Sequence, residues 1–234
     1  MAEPSPPLST APTASSAPTE PASAPRRAIP LQAAAPDVAP AKAKAKVLVH
    51  GPWRPATLLA SPHRLGFFSA VLVLVLASLW WLAVQVDRTS GALGLAQAVP
   101  ATLTHAAVMV FGFMPLYFSG FLFTAGPKWL NVAPYAAPQL RAPVGLQTAG
   151  WALWLVGAHT HAGLALAGLA LALAGLAWMF GMFWRLIRAS RAADRVHATV
   201  VGWAGVVGVL SLAAVGVSLA LGRVDGALLW VRTG

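Results

Sequence analysis

The sequence predicts an all-α membrane protein, a polytopic bundle of about five transmembrane helices with a disordered N-terminal tail. Hydrophobic residues make up 58% of the 234 residues and charged residues only 9%, against about 25% charged in a typical globular protein. So few charges cannot cover a water-soluble surface. Long uncharged apolar stretches are present as well, and they indicate that lipid solvates most of the chain.

Residues 1–55 are predicted to form a disordered, basic tail rich in Pro and Ala. Residues 1–40 hold ten of the nineteen prolines and no apolar stretch, so this segment cannot bury enough apolar surface to offset its ordering entropy. The alternating Ala and Lys of residues 41–46 predict attraction to anionic lipid. No secretory signal peptide is visible, and membrane targeting is expected to come from the first internal helix.

Residues 60–234 are predicted to form the transmembrane domain. The uncharged stretch at 142–184 is 43 residues long and would make one helix of about 65 Å, twice what a bilayer needs. It is therefore expected to fold into two spans that break at the polar group His159–His161. A sixth span could begin near 227–231. The five predicted spans are about 65–86, 103–125, 144–158, 162–184 and 198–221.

The basic residues predict the orientation of this bundle. With a cytoplasmic tail, 13 of the 16 Lys and Arg residues fall on the inside, and the outer loops hold the other three, Arg88, Arg223 and Arg232. This asymmetry favours a cytoplasmic N-terminus. The net charge of +10 does not indicate nucleic-acid binding, because the basic residues lie in the tail and the loops rather than on one folded face.

The same inventory argues against several classes of enzyme. There are no cysteines, and all six Asp and Glu residues fall in the tail or in loops, which argues against a proton pump built on membrane carboxylates and against a paired-carboxylate hydrolase. No nucleophile triad or nucleotide-binding loop is visible, so no enzymatic activity is assigned.

Histidine is the residue type that could carry chemistry here. Five histidines lie at predicted span ends, in two layers: His105, His159 and His161 at the outer face, and His63 and His197 at the inner face. Imidazoles from different helices in one layer suit axial haem ligation or a copper site. The alternative is that they are ordinary interfacial or helix-end residues.

Met109 adds a possible second ligand. It lies four residues after His105, so the two would share a helix face, and His with Met is a soft ligand pair suited to Cu(I) or haem iron. The alternative is that Met109 is a packing residue.

The stretch from His105 to Trp129 resembles the second-helix signature of the NnrS family, and residues 61–68 are similar to the family's opening segment. The family pattern is a His-rich start, then M-x-F-G-F, then G-F-L-x-T-A-x-P-x-W. Its second His and the following Glu fall on Ala107 and Val108. The matching residues are Met109, Phe111-Gly112-Phe113, Gly120-Phe121-Leu122, Thr124-Ala125, Pro127 and Trp129.

This resemblance implies a multi-pass protein of the bacterial inner membrane that contains haem and copper and takes part in the nitric oxide response. His105 would take the first position of the His-rich motif. Members are usually longer, so the chain resembles a truncated or half-sized member, and a homodimer is a possible assembly. The alternative function is a small membrane transporter or scaffold without a metal cofactor.

Overall fold

The computed structural model describes residues 55–233, with side chains from Thr57 onwards, and these residues contain helices and no strands. The all-α fold is thus confirmed for the part of the chain that is described. The predicted tail, including residues 41–46, lies outside it. After a 3₁₀ turn at Pro55–Leu59, the elements are α1 (Pro62–Ser90), α2 (Ala101–Ala107), a π-helical segment (Val108–Phe113), α3 (Met114–Trp129), α4 (Ala137–Thr160), α5 (Ala162–Ala189), α6 (Val196–Ala220) and α7 (Val224–Thr233).

Helix α1 has clear start and stop signals. It begins after extended Ser61 with Pro62 in its first turn, where a missing N–H costs nothing. It ends at Gly91, whose φ of 65° is left-handed and whose N–H bonds to Asp87 O. Between these ends one stripe is buried, including Leu65, while the opposite face exposes large apolar side chains. Such exposed surface is expected for a helix solvated by lipid.

The π-helical segment lies inside one continuous rod from Ala101 to Trp129. Met114 N–H bonds to Met109 O, five residues back. Pro115 has no N–H to donate to Phe111 O, so the regular ladder is interrupted at this carbonyl. The Gln147 amide of α4 donates to Phe111 O instead, at 3.4 Å. The proline explains why the rod departs from α geometry here.

Helices α4 and α5 form a tightly packed antiparallel hairpin. The break at His159–His161 coincides with the gap between them, where His161 is extended with a φ of −160°. Small residues allow the close approach: a Cβ added at Gly150 would lie 2.5 Å from Ala172 N, and one added at Gly168 would lie 2.5 Å from Trp154 N. Backbone therefore packs on backbone along this hairpin.

Helix α6 packs against α5 and α7. A Cβ at Gly205 would overlap the Phe180 ring, so the glycine is what lets this ring lie against α6. α7 has ten residues, about 15 Å of helix, which is half the thickness of a bilayer core. It packs on α6 and α2.

Four helical segments of the described chain are long and apolar enough to cross a membrane: Pro62–Ser90, Ala101–Trp129, Ala162–Ala189 and Val196–Ala220. α4 is not among them. It has 24 residues, but its first turns are more polar than the predicted span at 144–158, since they contain Gln139 and Arg141. A crossing by α4 remains a prediction, supported by its antiparallel packing on α5.

The alternating helices give the bundle two ends. The Trp81 end contains the last residues of α1, α4 and α6 and the first residues of α2, α5 and α7. The Trp129 end contains the last residues of α3 and α5 and the first residues of α1, α4 and α6. The charges divide unevenly between them. The Trp81 end has two acidic and three basic residues: Asp87, Arg88, Arg223, Asp225 and Arg232. The Trp129 end has one acidic and seven basic residues: Arg64, Lys128, Arg141, Arg185, Arg188, Arg191, Asp194 and Arg195.

Candidate functional site

Four aromatic rings meet at the Trp81 end, and we call them the His–Trp cluster: Trp80, Trp81, His105 and His159. The His105 ring stacks on Trp81, with centroids 4.5 Å apart and planes at 22°. Trp80 lies 5.5 Å from His159 and 6.1 Å from Trp81. Two histidines from different helices are thus joined through two adjacent indoles of α1.

His105 occupies a half-buried position with an unused nitrogen. Its Nδ1 is buried and has no hydrogen-bond partner among the described residues, and the same is true of Trp80 Nε1. A buried polar atom without a partner costs about 1–3 kcal/mol. Buried polar atoms in proteins usually have a partner, and a ligand can supply one. The cluster holds two that lack a partner among the described residues.

His159 is held in one tautomer. Its Nδ1 lies 2.6 Å from Ala96 O, and because a carbonyl can only accept, Nδ1 must carry the proton. In the neutral ring the lone pair is then on Nε2. Orientation of a histidine by a backbone carbonyl on its other nitrogen is typical of metal-binding histidines.

The loop that carries Ala96 is itself ordered by Asp87. Its carboxylate accepts from the N–H groups of Leu93, Gly94 and Leu95, at 3.0, 2.8 and 3.0 Å. Gly94 has a φ of 58°, which favours glycine. Asp87 therefore determines the path of the loop that orients His159.

Buried indoles of α4 hold the rod that carries His105. Trp154 Nε1 donates to Thr104 O at 3.2 Å, directly before His105. Trp151 Nε1 donates to Gln147 Oε1 at 2.7 Å, and the Gln147 amide donates to Phe111 O. These three α4 side chains are 0% exposed. Trp154 and Gln147 therefore bond α4 to the backbone of the rod, one before the π-helical segment and one within it, and Trp151 holds the Gln147 amide in place.

The remaining predicted ligands lie elsewhere. His161 Nδ1 accepts from Gly163 N–H at 3.0 Å and caps α5. His63 lies 3.4 Å from Ser61 Oγ through Nε2. His197 is exposed at the Trp129 end, 5.4 Å from the Trp129 ring. Met109 packs against the apolar core. Residues 55–233 contain no group of three or more His, Asp or Glu side chains that could hold a metal ion.

Sequence reasoning missed several residues of this region. Trp80 and Trp81 were not among the predicted site residues, and their rings contact both histidines. Gln147 was available as a signal, because it is a side-chain amide in a long uncharged stretch, and polar groups within membrane spans are commonly structural or functional. Asp87 was not among the predicted site residues either, although its carboxylate orders the loop that carries Ala96.

A family model described as NnrS protein matches residues 57–234. The chain belongs to the NnrS family. No curated protein and no solved structure is similar enough to add to this assignment. The match covers every helix described above.

The His–Trp cluster offers imidazole nitrogens that could hold haem, one of the two cofactors that the family resemblance implies. Axial haem ligation needs only one or two imidazoles. The free Nδ1 of His105 and the tautomer of His159 suit that role.

Proposed function

We propose that this NnrS-like membrane protein binds haem, and copper if further ligands are supplied, as part of the response to nitric oxide or nitrosative stress. The observation that carries the proposal is the pairing of His105 and His159 around Trp80 and Trp81, in a chain that belongs to the NnrS family. Detoxification, sensing and metal-centre assembly are all compatible with it.

The residues of the cluster would have two roles, as ligands and as groups that hold the ligands in place. His105 and His159 would supply the ligand nitrogens, and a bound haem iron would supply the capacity to bind a diatomic gas. Trp81 restrains His105 by stacking on it, and Ala96 O restrains His159. Roles for His63, His161 and His197 in cofactor binding, and for Met109 as a metal ligand, remain predictions.

The test is the optical spectrum of the full chain, purified in detergent after expression with adequate haem and copper, together with its metal content. We expect a Soret band that is lost or shifted in His105→Ala and His159→Ala. Thr160→Ala is the matched control, because Thr160 adjoins His159 and its exposed hydroxyl donates to Val156 O within α4, and this variant should leave the spectrum unchanged. Absence of both haem and copper from the wild-type protein would contradict the proposal.

The second candidate is a small membrane transporter or scaffold without a metal cofactor. The close backbone contacts of Gly150 and Gly168 support it, since such contacts are typical of membrane bundles held together by small residues. A cofactor-free wild-type protein that is folded and monodisperse would support this alternative.

We further propose that the chain resides in a bacterial inner membrane with its N-terminus in the cytoplasm. The seven basic residues against one acidic residue at the Trp129 end support this orientation. Reporter fusions placed in the 91–100 loop and the 190–195 loop should report periplasmic and cytoplasmic locations respectively. The reverse pattern would contradict the orientation.

A further inference from the structure

An apolar groove runs along the membrane-facing side of the bundle, between the Ala101–Trp129 rod and α6. It has a volume of about 560 Å³, and α5 forms its floor through Leu176 and Phe180. α5 packs against both α3 and α6, which hold the walls apart. Phe118 and Phe121 of the rod line one wall and are each 47% exposed.

The groove meets a second, polar cavity at the Trp129 end. This cavity has a volume of about 510 Å³ and is lined by Asp194 and Arg195. Trp129 and His197 line both cavities, so the two spaces share a boundary. The apolar groove therefore adjoins a polar cavity at this end of the bundle, and we call that cavity the mouth of the groove.

The mouth favours an anionic ligand. Asp194 is its acidic residue, and Asp194 Oδ1 already accepts from Val196 N–H at 2.9 Å. Arg195 is exposed beside it, and this end of the bundle has six more basic residues. Trp129, which is 40% exposed, is at a helix end, where indoles prefer the interface between hydrocarbon and headgroups.

The dimensions suit a lipid chain from one leaflet. From His197 at the mouth to Gly208 is 11 residues of α6, about 16 Å, which is close to half of a 30 Å hydrocarbon core. An acyl chain is apolar like the lining of the groove, and an anionic headgroup matches the basic end of the bundle at which the mouth lies.

We propose that this groove binds one anionic phospholipid, with an acyl chain against Phe180 and Gly208 and the phosphate at the mouth near Arg195 and His197. The ligand comes from the leaflet in which α3 ends and α6 begins. The mouth of the groove lies at the opposite end of the bundle from the His–Trp cluster.

Gly208 offers a direct way to fill the groove. A Cβ built there meets nothing within 4 Å, so Gly208→Leu should project into the groove without disturbing the packing. Gly181→Leu is the matched control, because Gly181 also has open space around its Cβ and does not line the groove. Arg195→Gln tests the mouth, and Arg223→Gln at the other end is its control.

The measurement is native mass spectrometry of the full chain in detergent, titrated with phosphatidylglycerol or with phosphatidylcholine carrying the same acyl chains. We expect one phosphatidylglycerol to be retained in preference to phosphatidylcholine. Gly208→Leu should weaken retention of both lipids. Arg195→Gln should lower the preference for phosphatidylglycerol about fivefold, the effect of removing one basic residue near a headgroup. Both control variants should behave as wild type.

Three results would overturn the proposal. The first is equal retention of the two lipids by the wild-type protein. The second is retention that Gly208→Leu leaves unchanged. The third is a dimer that Gly208→Leu converts to a monomer without any change in lipid binding, which would assign the groove to a second copy of the chain.

Discussion

The two ends of the bundle both combine tryptophan with histidine, but they use the pair differently. At the Trp81 end, rings stack at 4.5 Å and a backbone carbonyl holds His159. At the Trp129 end, His197 is exposed, its ring lies edge-on to Trp129, and both residues border open cavities. The first arrangement restrains imidazoles as a ligand site requires, and the second leaves room for a molecule from the membrane.

The largest expected difference between these regions is in their tolerance of a larger side chain. Gly157 of α4 lies near the Trp81 end, and a Cβ there would overlap the backbone of Ala165. Backbone cannot move aside as a side chain can, so Gly157→Leu should cost at least about 3 kcal/mol and separate the α4–α5 hairpin near His159. Gly208→Leu in the open groove should cost almost nothing. Thermal unfolding in detergent measures both, and similar midpoints would contradict the difference.

Gln147→Leu should have the next largest effect. It leaves Phe111 O and Trp151 Nε1 without their partners in a region that is 0% exposed, at about 1–3 kcal/mol for each unpaired group. Gln85→Leu is the control, because Gln85 is exposed and bonds only to Arg88, at 3.3 Å. We expect a clearly lower unfolding temperature for Gln147→Leu alone. Equal temperatures would show that the buried network contributes little.

Asp87→Asn should have a smaller, local effect. The substitution weakens three hydrogen bonds to the loop that carries Ala96, at a cost of about 1–2 kcal/mol. Hydrogen exchange should therefore accelerate at the amides of Leu93 and Leu95. Asp194→Asn at the other end is the counterpart, since one N–H bonds to its carboxylate. Unchanged exchange in Asp87→Asn would mean that the loop is ordered without the carboxylate.

Much of the fold could be predicted from the sequence because the signals are local. Uncharged stretches of about 20 residues indicate membrane helices, and the polar group at His159–His161 coincides with the turn between α4 and α5. The π-helical segment was not predicted, although Pro115 is visible in the sequence. A proline in a helix can be accommodated by more than one backbone geometry, and the donor that Phe111 O gains here, the Gln147 amide, comes from another helix.

The candidate site was less predictable. The sequence placed His105 and His159 in one layer, yet it could not show which ring each would meet. It also placed His161 in that layer, where the structure uses its Nδ1 to cap α5. The partners that decide these roles, Trp81, Ala96 and Gly163, are visible only once the helices are packed.

The amino-acid sequence alone therefore determined that the helices are membrane helices, that the fold is all-α and that the chain belongs to the NnrS family. Hydropathy and motif spacing are properties of the linear chain. Only the tertiary structure decided that two histidines share a tryptophan pair at one end of the bundle and that a groove opens at the other. Those features depend on contacts between helices that are far apart in the sequence, such as the contact of Trp80 with His159, and no local pattern encodes them.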